Sequence, residues 1–172
     1  MSNIRYKLST QERTTHNGFK LPDDGVWFQA KDMKNLPVPC TNTVLHHYAH
    51  PLLAVLFNPI HADIDNPRLF EIEIDKEIDT DGLKGWCRRQ RIIREIEVPV
   101  ITTEERVAFA IYYAERFASP DWMKWATNWM NGTDRTAEAA RAAAARAVVE
   151  AAWAAAENID LIAIALKAME VK

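Results

Sequence analysis

Leu45-His46-His47-Tyr48-Ala49-His50-Pro51-Leu52-Leu53-Ala54-Val55-Leu56-Phe57 is the stretch that decides the fold. Val44 to Tyr48 reads as a short strand. Pro51 then suits the first helical position, where its missing N–H costs nothing. Leu52, Val55 and Leu56 recur at helical spacing, and Leu53 and Phe57 widen the apolar face. Asn58-Pro59 predicts the end of this short helix, because a residue before proline is pushed out of the α region. A strand turning directly into a buried helix belongs to a small α+β domain.

Working outward, Arg68-Leu69-Phe70-Glu71-Ile72-Glu73-Ile74-Asp75 gives the clearest strand, with Phe70, Ile72 and Ile74 on one face and acids on the other. Gln90 to Val98 predicts a further strand with Ile92, Ile96 and Val98 on one side. Upstream, Ile4 to Leu8 alternates apolar and basic, the period of a strand with one face inward. Phe19-Lys20-Leu21 and Val26-Trp27-Phe28 flank Pro22-Asp23-Asp24-Gly25 and read as a hairpin. Lys31 to Thr43, with Pro37 and Pro39, reads as an irregular connection, and Asp79 to Gly82 as a turn.

Near residue 100 the period changes from two to 3.6. Thr102-Thr103-Glu104-Glu105 is a capping box, followed by a face of Val107, Ala110, Ile111, Ala114 and Phe117. Ser119-Pro120 opens a helix carrying Trp122, Trp125 and Trp129, and Asn131-Gly132 closes it. Thr133 or Asp134 caps an Ala-rich helix, with 13 alanines among residues 137–156. Asn158-Ile159-Asp160 caps a fourth helix or lies within a longer third one. The reading is α+β: a small, mostly antiparallel sheet with one inserted helix over 1–100, then a helical region over 101–172.

Composition narrows the function classes. The 172 residues suit one domain or one domain with a helical annex, and 48% hydrophobic with 26% charged residues is globular. A net charge of −3 argues against general nucleic-acid binding. No basic-apolar signal segment opens the chain and no apolar run reaches about 18 residues, so the expected place is the cytoplasm, without a membrane. Cys40 and Cys87 are too few for a disulfide framework, although they leave room for one bridge.

His46, His47, His50 and His61 cluster in sequence near Cys40. Zinc needs three or four converging ligands, and Pro51 with the strand before it opposes that convergence, so no metal is expected. Arg68 shares parity with Phe70 and Ile72, and Arg94 with Ile92 and Ile96. If both faced inward, each would need a carboxylate or a ligand anion. The plainer readings are Arg68 reaching out from the strand end and Arg94 paired with a glutamate. Arg88-Arg89-Gln90-Arg91 is a basic run that a strand divides between two faces. Trp153, close to Arg146 and off the small-residue stripe of its helix, is an anchor for a partner or for self-association.

Thr15-His16-Asn17-Gly18-Phe19, Leu45-His46 to Asn58-Pro59, Asn66 to Glu73 and Arg91 to Ile96 resemble a domain-of-unknown-function family of phage, prophage and bacterial proteins. The Trp129 to Ala137 junction into the Ala-rich helix is similar to its phage members. That resemblance implies no particular chemistry. A fainter likeness is to the ADP-ribosyltransferase fold, which would place His46, Arg68 and Glu95 in catalytic roles with NAD or another nucleotide. His16, His47, Tyr48 and Arg94 would then be the ligand-binding residues. The sequence lacks that fold's Ser/Thr-x-Ser element and aromatic nicotinamide clamp. The leading expectation is therefore a phage-type accessory protein without cofactor, in the host cytoplasm if phage-encoded. It would bind a host or phage protein, with Trp153 and Arg146 at the contact. A nucleotide enzyme and a self-assembling structural protein are the alternatives.

Overall fold

The computed structural model describes residues 3–115, 119–133, 135–136 and 159–171. It is an α+β protein with two antiparallel sheets, and the chain divides into two compact units, Met1–Val100 and Ile101–Lys172.

The first unit contains β1 (Ile4–Ser9), β2 (Trp27–Gln29), β3 (Leu45–His47), α1 (Pro51–His61), β4 (Arg68–Ile74), β5 (Glu77–Thr80), β6 (Gly85–Cys87) and β7 (Arg89–Ile96). Its backbone is a long hairpin bent in the middle. β4 pairs with β7 and β5 pairs with β6, while only Asp75-Lys76 and Arg88 separate the two halves. At the bend Asp75 N–H donates to the Arg89 carbonyl at 3.1 Å, and the Asp75 carboxylate accepts from Lys76 N–H at 2.7 Å. Each arm then recruits its own strands, giving the orders β1-β4-β7-β2 and β3-β6-β5. Tyr6 and Tyr48 exchange backbone hydrogen bonds of 2.9 Å and tie β1 to the chain just after β3. The inner faces meet in a core of Leu21, Phe70, Ile72, Ile74, Cys87 and Ile92, with Phe28 and Leu45 at its margin.

Four local expectations need correction. The hairpin across Pro22–Gly25 does not form. Phe19 to Leu21 instead folds back on Arg13 to Thr15, with Leu21 N–H on the Arg13 carbonyl at 2.8 Å. Trp27–Gln29 goes to the edge of β7, where Arg89 and Arg91 stack on the Trp27 ring at 5.3 and 5.2 Å. Second, α1 runs through Pro59 to His61. The Asn58 carbonyl is satisfied by Ala62 and Asp63 N–H, and the Asn58 amide bonds both polar backbone groups of Ile64. Third, Asp79 and Thr80 belong to β5, and the turn lies one step later at Asp81–Lys84, held by Asp81 Oδ1.

The fourth correction concerns the face of Arg94, whose expected pairing with a glutamate is present. Ile72 faces Ile92 but Glu71 faces Arg94, so Ile93 is an extra residue. A bulge of this kind reverses which side the following residues face. Arg94 therefore points away from the core, with its side chain 66% exposed and paired to Glu71 at 3.0 Å. The same register shows why β1 alternates. Arg5, Lys7 and Ser9 share the face of Ile72 and Phe70, while Leu8 pairs with Leu69 on the opposite face and both are buried.

In the second unit, α2 (Thr103–Ala114) begins at the expected capping box and α3 (Pro120–Met130) at the Ser119 cap. Trp122, Ala126 and Trp129 form the buried stripe of α3. A separate α4 (Leu161–Ala168) starts at an Asp160 cap, which accepts from Ala163 N–H at 3.0 Å. α2 and α4 pack together, and Lys167 Nζ sits 3.8 Å above the Tyr112 ring. The expected Ala-rich helix, with Arg146 and Trp153, lies outside the described residues.

One glycine is indispensable to the smaller sheet. Gly85 pairs with His47, and a Cβ there would stand 2.4 Å from His47 Cε1. Gly85→Ala is expected to lower stability by ~1–3 kcal/mol, the usual cost of overpacking. A urea midpoint equal to that of the parent chain would show that the His47–Gly85 contact is not tight.

Candidate functional site

The strand-to-helix corner carries most of the histidines, and the fold assigns them different tasks. His50 caps α1, its Nδ1 accepting from Leu52 N–H at 3.3 Å. His46, opposite Trp86 in the β3–β6 ladder, accepts the Cys40 N–H on Nε2 at 3.1 Å. His61, in the last turn of α1, stacks on Tyr48 and Phe57 and shares a 3.1 Å hydrogen bond with the Tyr48 hydroxyl. Lys84 reaches the same area, its ammonium donating to Cys40 Sγ at 3.6 Å.

Burial and the nearby Lys84 cation depress both imidazoles, His46 to about 4 and His61 to about 4. At neutral pH they are uncharged. Burial also raises the Tyr48 phenol, with the Asp81 carboxylate adding to the effect. Neutral rings, a protonated phenol and one ammonium make a hydrogen-bonding surface. The arrangement lacks a nucleophile whose base is itself oriented by a third group, the geometry that nucleophilic catalysis uses. Among the described residues no three His, Cys, Asp or Glu side chains converge to hold a metal ion.

His47 turns inward. It is 1% exposed, and neither ring nitrogen has a hydrogen-bond partner among the described residues. Its Nε2 lies 3.7 Å from the Glu77 carboxylate, which Arg5 holds at 3.1 Å. Lys7, half-buried beside it, donates to the His46 carbonyl at 2.7 Å, and desolvation lowers its ammonium to about 8. The Cys87 thiol, fully buried and pushed up to about 12 by that burial, donates to the Leu45 carbonyl at 3.6 Å. Gln90 reaches Cys87 Sγ with its amide nitrogen, and its Oε1 has no hydrogen-bond partner among the described residues. This buried polar seam was not anticipated from the sequence. The shared parity of Arg5, Lys7 and Ser9 was its visible trace.

Of the three residues expected to act together, the fold joins Arg68 to Glu95 and leaves His46 apart. Arg68 and Glu95 form a two-point ion pair of 2.9 and 2.5 Å, and Arg68 stacks on Phe70. The groups that act on His46 are Lys84, Lys7, Asp81 and His61, so it shares no partner with that pair. His16 lies elsewhere again, donating to the Ala62 carbonyl at 2.8 Å. It lines an open groove of about 420 Å³ with Glu12, Asp63 and Asp65.

A second feature is built around Arg88, at the hairpin bend. Its guanidinium donates to the carbonyls of Asp32 at 2.9 Å, Thr43 at 3.0 Å and Asn35 at 2.5 Å. Charge-assisted bonds of this kind are among the stronger ones, and here they fix the irregular loop from Lys31 to Thr43. Asp32 adds bonds to Lys34 N–H and Asn35, and Thr43 accepts from Val38 N–H. Despite that order the loop turns its apolar side chains outward: Leu36 is 82% exposed and Val38 49%, with Met33 also exposed.

The depressed histidines give a pH dependence with a definite sign. Folded His47 stays neutral down to about 3, held there by burial and the neighbouring Arg5, against an ordinary value of 6.5. Between those values the unfolded chain binds the extra proton, so stability falls as pH drops. The loss from this residue is ~1.4 kcal/mol per pH unit. His46 and His61 act in the same sense from 6.5 down to about 4. Urea unfolding at about pH 7 and about pH 5 measures the slope, which His47→Leu flattens. An NMR titration of the His47 ring with a midpoint near 6.5 would contradict its burial.

Compared with known proteins, the chain matches no family model, no curated protein and no solved structure. The site is therefore read from its own geometry.

Proposed function

We propose that this chain is a binding module for another protein, of the phage-accessory kind, acting on a host or phage protein without chemistry of its own. The observation that carries the reading is the clasped loop. An irregular segment of thirteen residues, Lys31 to Thr43, ordinarily hides apolar side chains or leaves them mobile. Here three guanidinium bonds order the backbone while Leu36, Val38 and Met33 stay in water. Ordering a loop before contact removes part of the entropy cost of association. A preformed apolar projection of this kind gains free energy only when another surface covers it.

The nucleotide alternative has weaker support. It needs Arg68 available for an anion, whereas Glu95 occupies that guanidinium at two points.

The test pairs two substitutions on the loop. Leu36→Asp with Val38→Asp alters exposed side chains, so the unfolding midpoint is expected to change little, by about 0.5 kcal/mol or less per site. A stoichiometric partner retained from host lysate by the parent chain should bind the double variant at least ~30-fold more weakly, the size of a contact hot spot. Arg88→Met should loosen the loop and weaken the same complex. A partner that binds all three chains equally, or no stoichiometric partner at all, would sink the proposal.

A further inference from the structure

The sheet edge beside the clasped loop shows what form the partner takes. β2 ends the order β1-β4-β7-β2. It pairs with β7 in the register Trp27↔Arg91, Phe28↔Gln90 and Gln29↔Arg89. Ala30 N–H donates to the Arg88 carbonyl at 2.9 Å. In an antiparallel ladder the hydrogen-bonding residues alternate, so Phe28 and Ala30 bond β7. Trp27 and Gln29 turn their N–H and C=O groups outward, and those groups have no partner among the described residues.

Natural edges are usually guarded by a lysine, a proline or a covering loop. Val26-Trp27-Phe28-Gln29-Ala30 has no charge and no proline. Its side chains alternate usefully. Val26, 51% exposed, and Phe28 share one face, where Phe19 stacks on Phe28 at 5.5 Å and is itself exposed. Trp27 and Gln29 share the other, where Arg89 and Arg91 lie over the indole. Among the described residues, five of the ten exposed large apolar side chains, Phe19, Val26, Met33, Leu36 and Val38, fall between positions 19 and 38, on or next to this strand in the chain.

Charge identifies the occupant. Arg91 is neutralised by Glu73 at 2.5 Å, but Arg89, on the Trp27 face, makes no ion pair among the described residues. Neither do the exposed Lys31 and Lys34, just past the strand. Of the nearby carboxylates, Asp24 is held by Arg13 and Asp32 by its own loop, while Asp23 sits in the turn before the strand. We infer that the partner adds an extended segment to β2 as a fifth strand, alternating apolar and acidic residues. Its apolar side chains lie against Val26, Phe28 and Phe19, and its carboxylates lie over Trp27 toward Arg89 and Lys31. This inference rests on the protein-binding reading and specifies how that binding is made.

The probes are two blocked octapeptides, one alternating valine and glutamate and one alternating valine and lysine, titrated into the full chain and followed by amide NMR. The glutamate peptide is expected to slow hydrogen exchange at the Trp27 and Gln29 amides by at least ~10-fold, and the lysine peptide to leave them unchanged. Arg89→Glu, at an exposed position, should invert that preference. Gln29→Pro removes one outward donor and leaves the β7 ladder intact, so it should weaken the glutamate peptide by ~5–10-fold. Equal response to both peptides, or no protection at millimolar peptide, overturns the inference. So does protection already present in the free protein at concentrations where it dimerises, since a second copy is then the occupant. If the Leu36/Val38 variant loses a partner while these amides never respond, strand addition fails and the binding-module reading stands.

Discussion

Everything in the first unit hangs from the bend in one hairpin. Had β4–β5 and β6–β7 run straight, they would form a two-stranded ribbon, which is marginal in water. The bend at Asp75-Lys76 and Arg88 creates two arms with four free edges, and β1, β2 and β3 each dock on one of them. Asp75 holds one side of the bend through its own backbone and carboxylate. Arg88 holds the other by gathering three carbonyls of the loop that joins β2 to β3. Arg88 thus serves both the bend and the shape of the loop beside it. Long-range order in the fold and local order on its surface have one physical source.

The bend also explains the polar seam. Two sheet arms folded toward one another must fill the angle between them, and β1 brings Arg5 and Lys7 to that face along with Ser9. Burying such groups is costly unless they are bonded. The structure answers with carbonyl and carboxylate partners for Lys7 and Arg5, and with a neutral His47 against Gly85. The arrangement works at neutral pH because His47 gives up its charge instead of finding a counter-ion. The histidines that stand out in the sequence therefore serve mainly as packing and capping groups at a corner, and their depressed proton affinities follow from that role.

The parts of the fold legible in the sequence were those written in local periodicity. Phe70-Glu71-Ile72-Glu73-Ile74 could only be a half-buried strand, Pro51 marked a helix start, and Thr102 with Glu105 fixed the next one. What escaped was set by neighbours distant in the chain. The extra residue at Ile93 is defined only against β4, so parity counted along β7 alone placed Arg94 on the wrong face. The Trp27 strand carries a plausible turn before it, yet the edge of β7, with two arginines for the indole to stack on, outcompetes the local hairpin. Arg68 did sit on the apolar face, as its parity required. Its partner Glu95 lies 27 positions away and was invisible until the strands were in register. The clasped loop was read correctly as irregular, but nothing local revealed that Arg88 would order it.

Exposed apolar residues flank the β2 edge because of how the hairpin's four edges were filled. β1 is covered by its tie to Tyr48 and by α1, and β3 lies beside β1. β5 carries Glu77 and Asp79, charges that discourage pairing. Among the described residues, β2 has neither a covering strand nor a charge of its own. Its shortness limits the ladder it offers to the outward groups of Trp27 and Gln29, too few bonds to hold a stranger by backbone alone. Affinity would have to come from side chains on both faces and from the clasped loop beside them. A short edge with specific neighbours selects its partner by side-chain pattern, where a long one would accept almost any strand. That is the physical difference between an aggregation hazard and a recognition site, and the proposed strand addition to β2 depends on it.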